Sequence, residues 1–429
     1  MAIENFSCVA HAMFDVKIER LGALGDGIGR IDGSPVYVPQ ALPGEVVKAS
    51  GEPPHLDLVE IVSAAQHRQT PPCPHFTDCG GCTFQHATLE FLADWKQHEV
   101  KLAFSKAGIK QPVEETIMSP PASRRRVTFS AKRDGSDVVL GFISRQGETL
   151  VDVHSCTILL PQLEREIPNF RNLVKTLIRG SEIIQLAINV CDNGLDIDVL
   201  LQDDPSEEMI SAFVRLVAKS SYLRASLNGE IMVEKEKPSV WFGPASVAVP
   251  PGGFLQAVKS AERAMVEIVS KHLAKSKKIV DLFCGSGTFS LPLARKSKIH
   301  CVEMNQPALD ALLASSGTEG LKSITVEQRD LFEQPLTSGE LKPFDGVCLD
   351  PPRAGAQLQI EQIAKADIRR IAYVSCNPVT LAEDAKRLID AGYELEQITP
   401  IDQFIYSPHI EVIALFSKKA QKSKRSIFR

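Results

Sequence analysis

No stretch of the 429 residues approaches the ~20 consecutive apolar residues that a membrane-spanning helix needs. Nor does a basic and then apolar leader open the chain, since Glu4, Asp15 and Glu19 stand where a secretory signal is free of acid. A cytoplasmic protein without membrane contact is expected. Positive charge is not in excess either: 48 Lys and Arg face 53 Asp and Glu, for a net charge of -5 and a pI near 6.1. That balance excludes a protein that coats nucleic acid by global charge. Any RNA contact must be local, at Arg124, Arg125 and Arg126 in an expected strand, with Lys132 and Arg133 nearby, or at an acid-free tail carrying Lys418, Lys419, Lys422, Lys424 and Arg425. The tail suits a frayed, solvated end. Internal repeats and low-complexity tracts are absent.

A reducing cytosol also rules out a disulfide framework, so the ten cysteines need another account. Cys8, Cys191, Cys301 and Cys348 sit singly among apolar residues and suit the core. Cys73, Cys79 and Cys82 lie close together, and Gly80 and Gly81 permit the sharp return that lets thiolates converge. Cys156 in DVHSC offers a fourth ligand, and four thiolates suit either tetrahedral zinc or an iron-sulfur cluster.

A chain of this length supports two or three units, and the patterns divide it at about residues 65 and 250. Over 1–65, short apolar runs alternate with Gly-rich turns, which predicts a small OB-type barrel suited to oligonucleotides. Over 66–250, the irregular cysteine segment precedes a helix at Leu89 to Lys106 and then a mostly β region. Over 251–429 strands and helices alternate, from KKIVDLFC to RIAYVSCN, and close with the nearly consecutive strands YELEQITPI and EVIALFS. The fold class is therefore α/β: a doubly wound, Rossmann-like sheet with an antiparallel hairpin at its edge, the arrangement of class I methyltransferases.

The first strand of that sheet runs into Gly285 and Gly287, which let the backbone turn tightly beside a ligand. A dinucleotide site favours a third glycine where this chain has Ser290, and an adenosyl ligand has no pyrophosphate to cradle. S-adenosylmethionine is thus the expected cofactor. Glu303 ends the second strand, where a carboxylate meets ribose hydroxyls, and Asp330 ends the third within reach of the adenine amine. Asp350 opens DPPRAG at the end of the fourth. Enzymes that methylate exocyclic amines carry an aromatic after the two prolines; Arg353 stands here instead.

Cys376 ends the fifth strand at the same sheet edge as Asp350. Carbon C5 of uracil is a poor nucleophile, and thiolate addition at C6 makes it an enolate carbon able to take a methyl group. A base must then remove the C5 proton, and Glu411, with His409 beside it, is the candidate. The target base must be turned out of its stack to reach such a pocket.

DLFCGSGTF, DPPRAG, SCNP and the late HIE, with CPHFTDCGGCTFQH and the N-terminal glycine-rich strands, resemble over nearly the whole chain the bacterial RNA uracil-C5 methyltransferases. The resemblance implies a TRAM barrel, a four-iron four-sulfur site on Cys73, Cys79, Cys82 and Cys156, Cys376 as nucleophile and Glu411 as proton acceptor. It implies that Gln256 in GGFLQ, Phe283, Glu303 and Asp350 line the cofactor site. Members with both barrel and cluster look like the ribosomal branch, so 23S rRNA is expected ahead of tRNA, with the protein acting as a monomer. Departures from the family pattern are Val258, Thr288 and the stretch QFIYSPHIE. The competing expectations are a methyltransferase of amines or protein side chains and a non-catalytic iron-sulfur RNA-binding protein.

Overall fold

The computed structural model describes residues 12–180 and 182–418. Glu4, Cys8, Lys419, Lys422, Lys424 and Arg425 lie outside the described residues. Six strands come first, β1 (Met13–Lys17), β2 (Arg20–Leu21), β3 (Gly27–Ile31), β4 (Ser34–Val38), β5 (Val46–Glu52) and β6 (His55–Ser63), joined in the order β1-β5-β6-β4-β3-β2. Val16, Val36, Val38, Val47 and Leu56 fill the inside of this module. Gly29 must lack a side chain there, because a Cβ would stand 2.4 Å from Val16 Cγ1.

Helix α1 (Leu89–Lys106) follows the cysteine segment and is capped by Thr88, whose hydroxyl accepts from Phe91 N. After β7 (Ile117–Met118) come β8 (Arg126–Asp134), β9 (Asp137–Ile143), β10 (Leu150–Asp152), α2 (Pro161–Lys175), β11 (Ile184–Val190), β12 (Leu195–Leu200), α3 (Glu207–Lys219), β13 (Arg224–Leu227) and β14 (Glu230–Glu234). The strands from β8 to β14 make one sheet, ordered β10-β9-β8-β11-β12-β13-β14. A hairpin, β15 (Ser239–Phe242) and β16 (Ala245–Ala248), leads into α4 (Lys259–Leu273).

The last sheet is built from β17 (Lys278–Leu282), α5 (Ser290–Ala294), β18 (Lys298–Glu303), α6 (Gln306–Ser315), β19 (Ile324–Gln328), α7 (Ser338–Leu341), β20 (Gly346–Leu349), α8 (Gln357–Lys365), β21 (Arg370–Ser375), α9 (Pro378–Asp390), β22 (Glu394–Asp402) and β23 (Glu411–Ser417). Its order is β19-β18-β17-β20-β21-β23-β22-β7. The first five strands are parallel, and IVDL, GVCL and IAYV are continuously buried, Asp281 included, because both faces are covered. Strand β23 enters antiparallel between β21 and β22. The expected hairpin is present, but not at the edge: β7 pairs with β22 at Ile401↔Ile117 and closes that side. Helix α1 spans two cores, giving Leu92 and Trp95 to the central one and Val100 and Phe104 to that of the last sheet. Cys191, Cys301 and Cys348 are buried, as their apolar surroundings predict. No helix among the described residues is long and apolar enough to cross a membrane.

Candidate active site

Where β17 ends, the chain turns through Phe283, Gly285 and Gly287, all at positive φ (60°, 52° and 97°). Gly287 also meets close packing, since a Cβ would lie 3.0 Å from Leu312 Cδ1. Phe283 holds its left-handed conformation without being glycine, a strain that costs of order 1–3 kcal/mol and persists where the surroundings enforce it. Glu303 organises the loop: its Oε2 accepts from Gly285 N at 3.1 Å, and its Oε1 from Met304 N and Asn305 N at 2.9 Å each. A carboxylate offers about four lone-pair sites, so one remains for a ligand hydroxyl. Ser290, the departure from a third glycine, hydrogen-bonds the fully buried carboxyl of Asp281, which burial pushes up to about 7. Asp330 lies two residues beyond the end of β19, and its Oδ1 accepts from Phe332 N at 2.9 Å. Phe332 packs at 5.5 Å on Phe283, an aromatic pair that strand periodicity does not signal.

The nucleophile candidate sits on a locally encoded turn. In SCNP, Ser375 ends β21, Asn377 caps α9 by accepting from Val379 N at 3.1 Å, and Pro378 takes the first helical position. Asn377 Nδ2 also donates to Arg353 O at 3.1 Å and ties this turn to DPPRAG. The antiparallel ladder of β21 and β23 ends at the pair Ser375 and Val412, so Cys376 and Glu411 are the residues just past that last pair. Asp350 stands one residue beyond Leu349, which pairs with Tyr373 on the same strand. The register thus brings Cys376, Glu411 and Asp350 together.

Their electrostatics reflect this crowding. Burial pushes Cys376 up to about 11, the Glu411 and Asp350 carboxyls add to it, and Arg353 opposes. Glu411 is 5% exposed, and burial pushes it up to about 7 against a hydrogen bond from Gln403. Burial likewise lifts Asp350, with Glu411 and Asp281 reinforcing the shift. His409 is held below its ordinary value by partial burial of its ring and by Arg353, Lys96 and Arg124. Gln256 Nε2 donates to Asp350 Oδ2 at 3.4 Å.

Cys73, Cys79, Cys82 and Cys156 line one cavity of about 360 Å³, whose far wall is Phe254, Ala257, Gln403 and Phe404. Gly80 is obligatory there, since a Cβ would lie 2.7 Å from Ile143 O, and Gly81 N donates to Cys79 Sγ at 3.4 Å. Burial raises Cys82 to about 11 and Cys156 to about 12, and the neighbouring thiols add to both. Among the described residues, no group of three or more His, Cys, Asp and Glu is placed to hold a metal ion.

The arginine triplet is not an open RNA patch. Only Arg126 lies in a strand; Arg125 is buried, donating to Gln256 O at 2.9 Å and pairing with Glu262 at 2.5 Å. Arg124 and Arg126 are half-buried and stack on aromatic rings, 5.8 Å from the centre of Phe404 and 4.5 Å from that of Phe254. Arg133 donates to Ile178 O. Two residues that motif reading passed over, Lys96 and Gln403, hold the approach to Glu411: Lys96 Nζ pairs with Asp402 at 2.7 Å and donates to His409 O at 2.9 Å.

Comparison with known proteins gives a consistent set of matches. Residues 248–419 match the family model described as tRNA (Uracil-5-)-methyltransferase, and residues 12–50 the TRAM domain. An uncharacterized RNA methyltransferase of Mesorhizobium japonicum is 42% identical over 96% of this chain and 99% of its own. The 23S rRNA (uracil(1939)-C(5))-methyltransferase of Vibrio parahaemolyticus is 30% identical over 94% of this chain and 95% of its own. The solved tRNA (uracil-54, C5)-methyltransferase of Pyrococcus abyssi, in complex with S-adenosyl-L-homocysteine, superposes with a TM-score of 0.73, covering 94% of this chain and 100% of that one; at 21% identity this shows the fold.

Proposed function

The chain belongs to the family of RNA uracil-C5 methyltransferases, and from that premise we propose that it methylates C5 of a uridine in RNA, with Cys376 as nucleophile and Glu411 as base. The observation that carries this reading is that Cys376 and Glu411 flank the last pair of the β21–β23 ladder, with Asp350 beside them and both carboxyls acting on the thiol. The Cys376 thiol gives up its proton to solvent and its Sγ bonds C6, making C5 an enolate carbon. S-adenosylmethionine, when bound, supplies an electrophilic methyl group. Glu411 then takes the C5 proton, the C5–C6 double bond re-forms, and Sγ leaves as thiolate. A base with its value near 7 suits both halves of that task, taking the proton and releasing it afterwards.

Gln256, Phe283, Gly285, Glu303, Asp330 and Asp350 form the cofactor side of the site in this reading. Glu303 has a lone-pair site free for ribose, and Asp330 organises the turn carrying Phe332. The four cysteines suit a four-iron four-sulfur cluster, which spreads its thiolates more widely than a single tetrahedral ion does. Three of them are buried, around one cavity, with Arg124 and Arg145 near enough to offset thiolate charge. Residues 1–65 would serve as the RNA-binding barrel, 66–250 as the cysteine-bearing central unit and 251–429 as the catalytic unit. A 23S rRNA uridine is the substrate favoured by the Vibrio relative, in the cytoplasm.

The test uses 5-tritiated rRNA, cofactor and denaturing gels. Cys376→Ala should release no tritium and form no adduct, and Glu411→Gln should stall as a covalent protein-RNA adduct. Full activity of Cys376→Ala would sink the mechanism.

A further inference from the structure

Gln403 is 2% exposed and lies on the first residue beyond β22, next to the buried pair of Asp402 and Lys96. Its Nε2 donates to Gln256 Oε1 at 2.7 Å and to Glu411 Oε1 at 3.0 Å. An amide nitrogen carries two hydrogens, so both are committed. Gln256 in turn spends its own Nε2 on Asp350 Oδ2, which leaves its oxygen free to accept. One polar chain therefore runs from the Asp350 carboxyl through Gln256 and Gln403 to the Glu411 carboxyl. Turning the Gln403 amide over would set its oxygen against two acceptors and leave both without that donor. The backbone is equally held, because Asp402 Oδ1 accepts from Phe404 N at 2.8 Å.

We propose that Gln403 is a positioning residue for C5 proton abstraction: one amide that fixes the Glu411 carboxylate and the Gln256 amide in a single register. The proposal rests on Glu411 being the base. In that step the C5–H bond breaks toward Glu411, its electron pair re-forms C5=C6, and the Sγ–C6 bond breaks to return the Cys376 thiolate. An N–H aimed at Glu411 favours the ionised carboxylate that can accept the proton, against burial, which favours the neutral form. The other groups facing Glu411 are Asp350 and Cys376; Asp281 acts on Asp350, Arg353 on Cys376, and His409 lies two residues before. Gln403 brings Glu411 a donor without adding a charge.

The experiment follows wild type, Gln403→Met, Gln403→Asn and Glu411→Gln with tritiated RNA and S-adenosylmethionine, reading adduct formation and tritium release separately across pH. Gln403→Met keeps the length of the side chain without its donors. It should still form the adduct, with release slowed more than formation: tritium release at least about tenfold slower at pH 7, and the acid limb of release moved up by roughly one to two pH units. Raising the pH should restore release. Gln403→Asn, which keeps an amide but cannot span both partners, should show the same displaced limb and decides the matter if the Met variant does not fold. An undisplaced limb in the folded variants, or adduct formation and release slowed equally, would overturn the role of Gln403. Normal tritium release by Glu411→Gln would instead overturn the assignment of the base.

Discussion

At the scale of single residues, Glu411 links function to stability. Its folded value near 7 lies above the ordinary 4.5, so the folded chain holds this proton to higher pH than the unfolded chain does. The stability it contributes is therefore complete below about pH 4.5 and is lost as pH rises through 7, by at most on the order of 3 kcal/mol. Glu411→Gln cannot ionise and should keep that stability. Its melting temperature should exceed wild type at pH 8 and converge with it near pH 5; an equal difference at both pH values would contradict the buried, neutral carboxyl. Cys376 and Glu411 stood out as candidates from the chemistry of uracil, because few residue types can add to C6 or take a proton from C5, and the structure places them close together. Gln403 was not legible, since an amide carries no motif and gains its role only from two acceptors brought beside it.

At the scale of elements, the loop between β22 and β23 depends on α1. Lys96, 1% exposed, meets Asp402, 0% exposed, and its ammonium also holds Phe404 O and His409 O. Burial pushes Lys96 down and Asp402 up, while each charge offsets the other's shift. Lys96→Met should strand Asp402 as a buried unpaired acid and cost about 3–5 kcal/mol in urea unfolding. The double variant Lys96→Met with Asp402→Asn should recover much of that loss, and a failure to recover would show that the ammonium's bonds to the two carbonyls dominate. The helix itself was legible from Leu89 to Lys106, bounds that the structure reproduces. Its burial of a lysine was not, because helical spacing does not tell which element a charged residue will face.

At the scale of the molecule, Tyr406 ties the cysteine segment to the loop between β22 and β23. Thr83 N and Phe84 N both donate to Tyr406 O, at 2.7 and 3.0 Å, and Tyr406 is held at a φ of 62°. These bonds tie the cysteine segment to the loop that leads into Glu411. Protein purified without air should hold about four irons per chain, and Cys79→Ser or Cys156→Ser should lose the iron, melt at lower temperature and turn over more slowly. Stoichiometric zinc in the wild type would reject the cluster. Sequence alone determined the α/β class, the glycine-bearing loop after the first strand of the last sheet and the small N-terminal β module, because periodicity and glycine turns act over a few residues. Tertiary structure decided that β23 enters between β21 and β22, that β7 closes the sheet, and that Arg125 is buried while Arg124 and Arg126 stack half-buried on aromatic rings. It also joined Asp350, Gln256, Gln403 and Glu411 into one polar chain. Strand register and side-chain hydrogen bonds between distant segments follow from how whole elements pack, which no local pattern encodes.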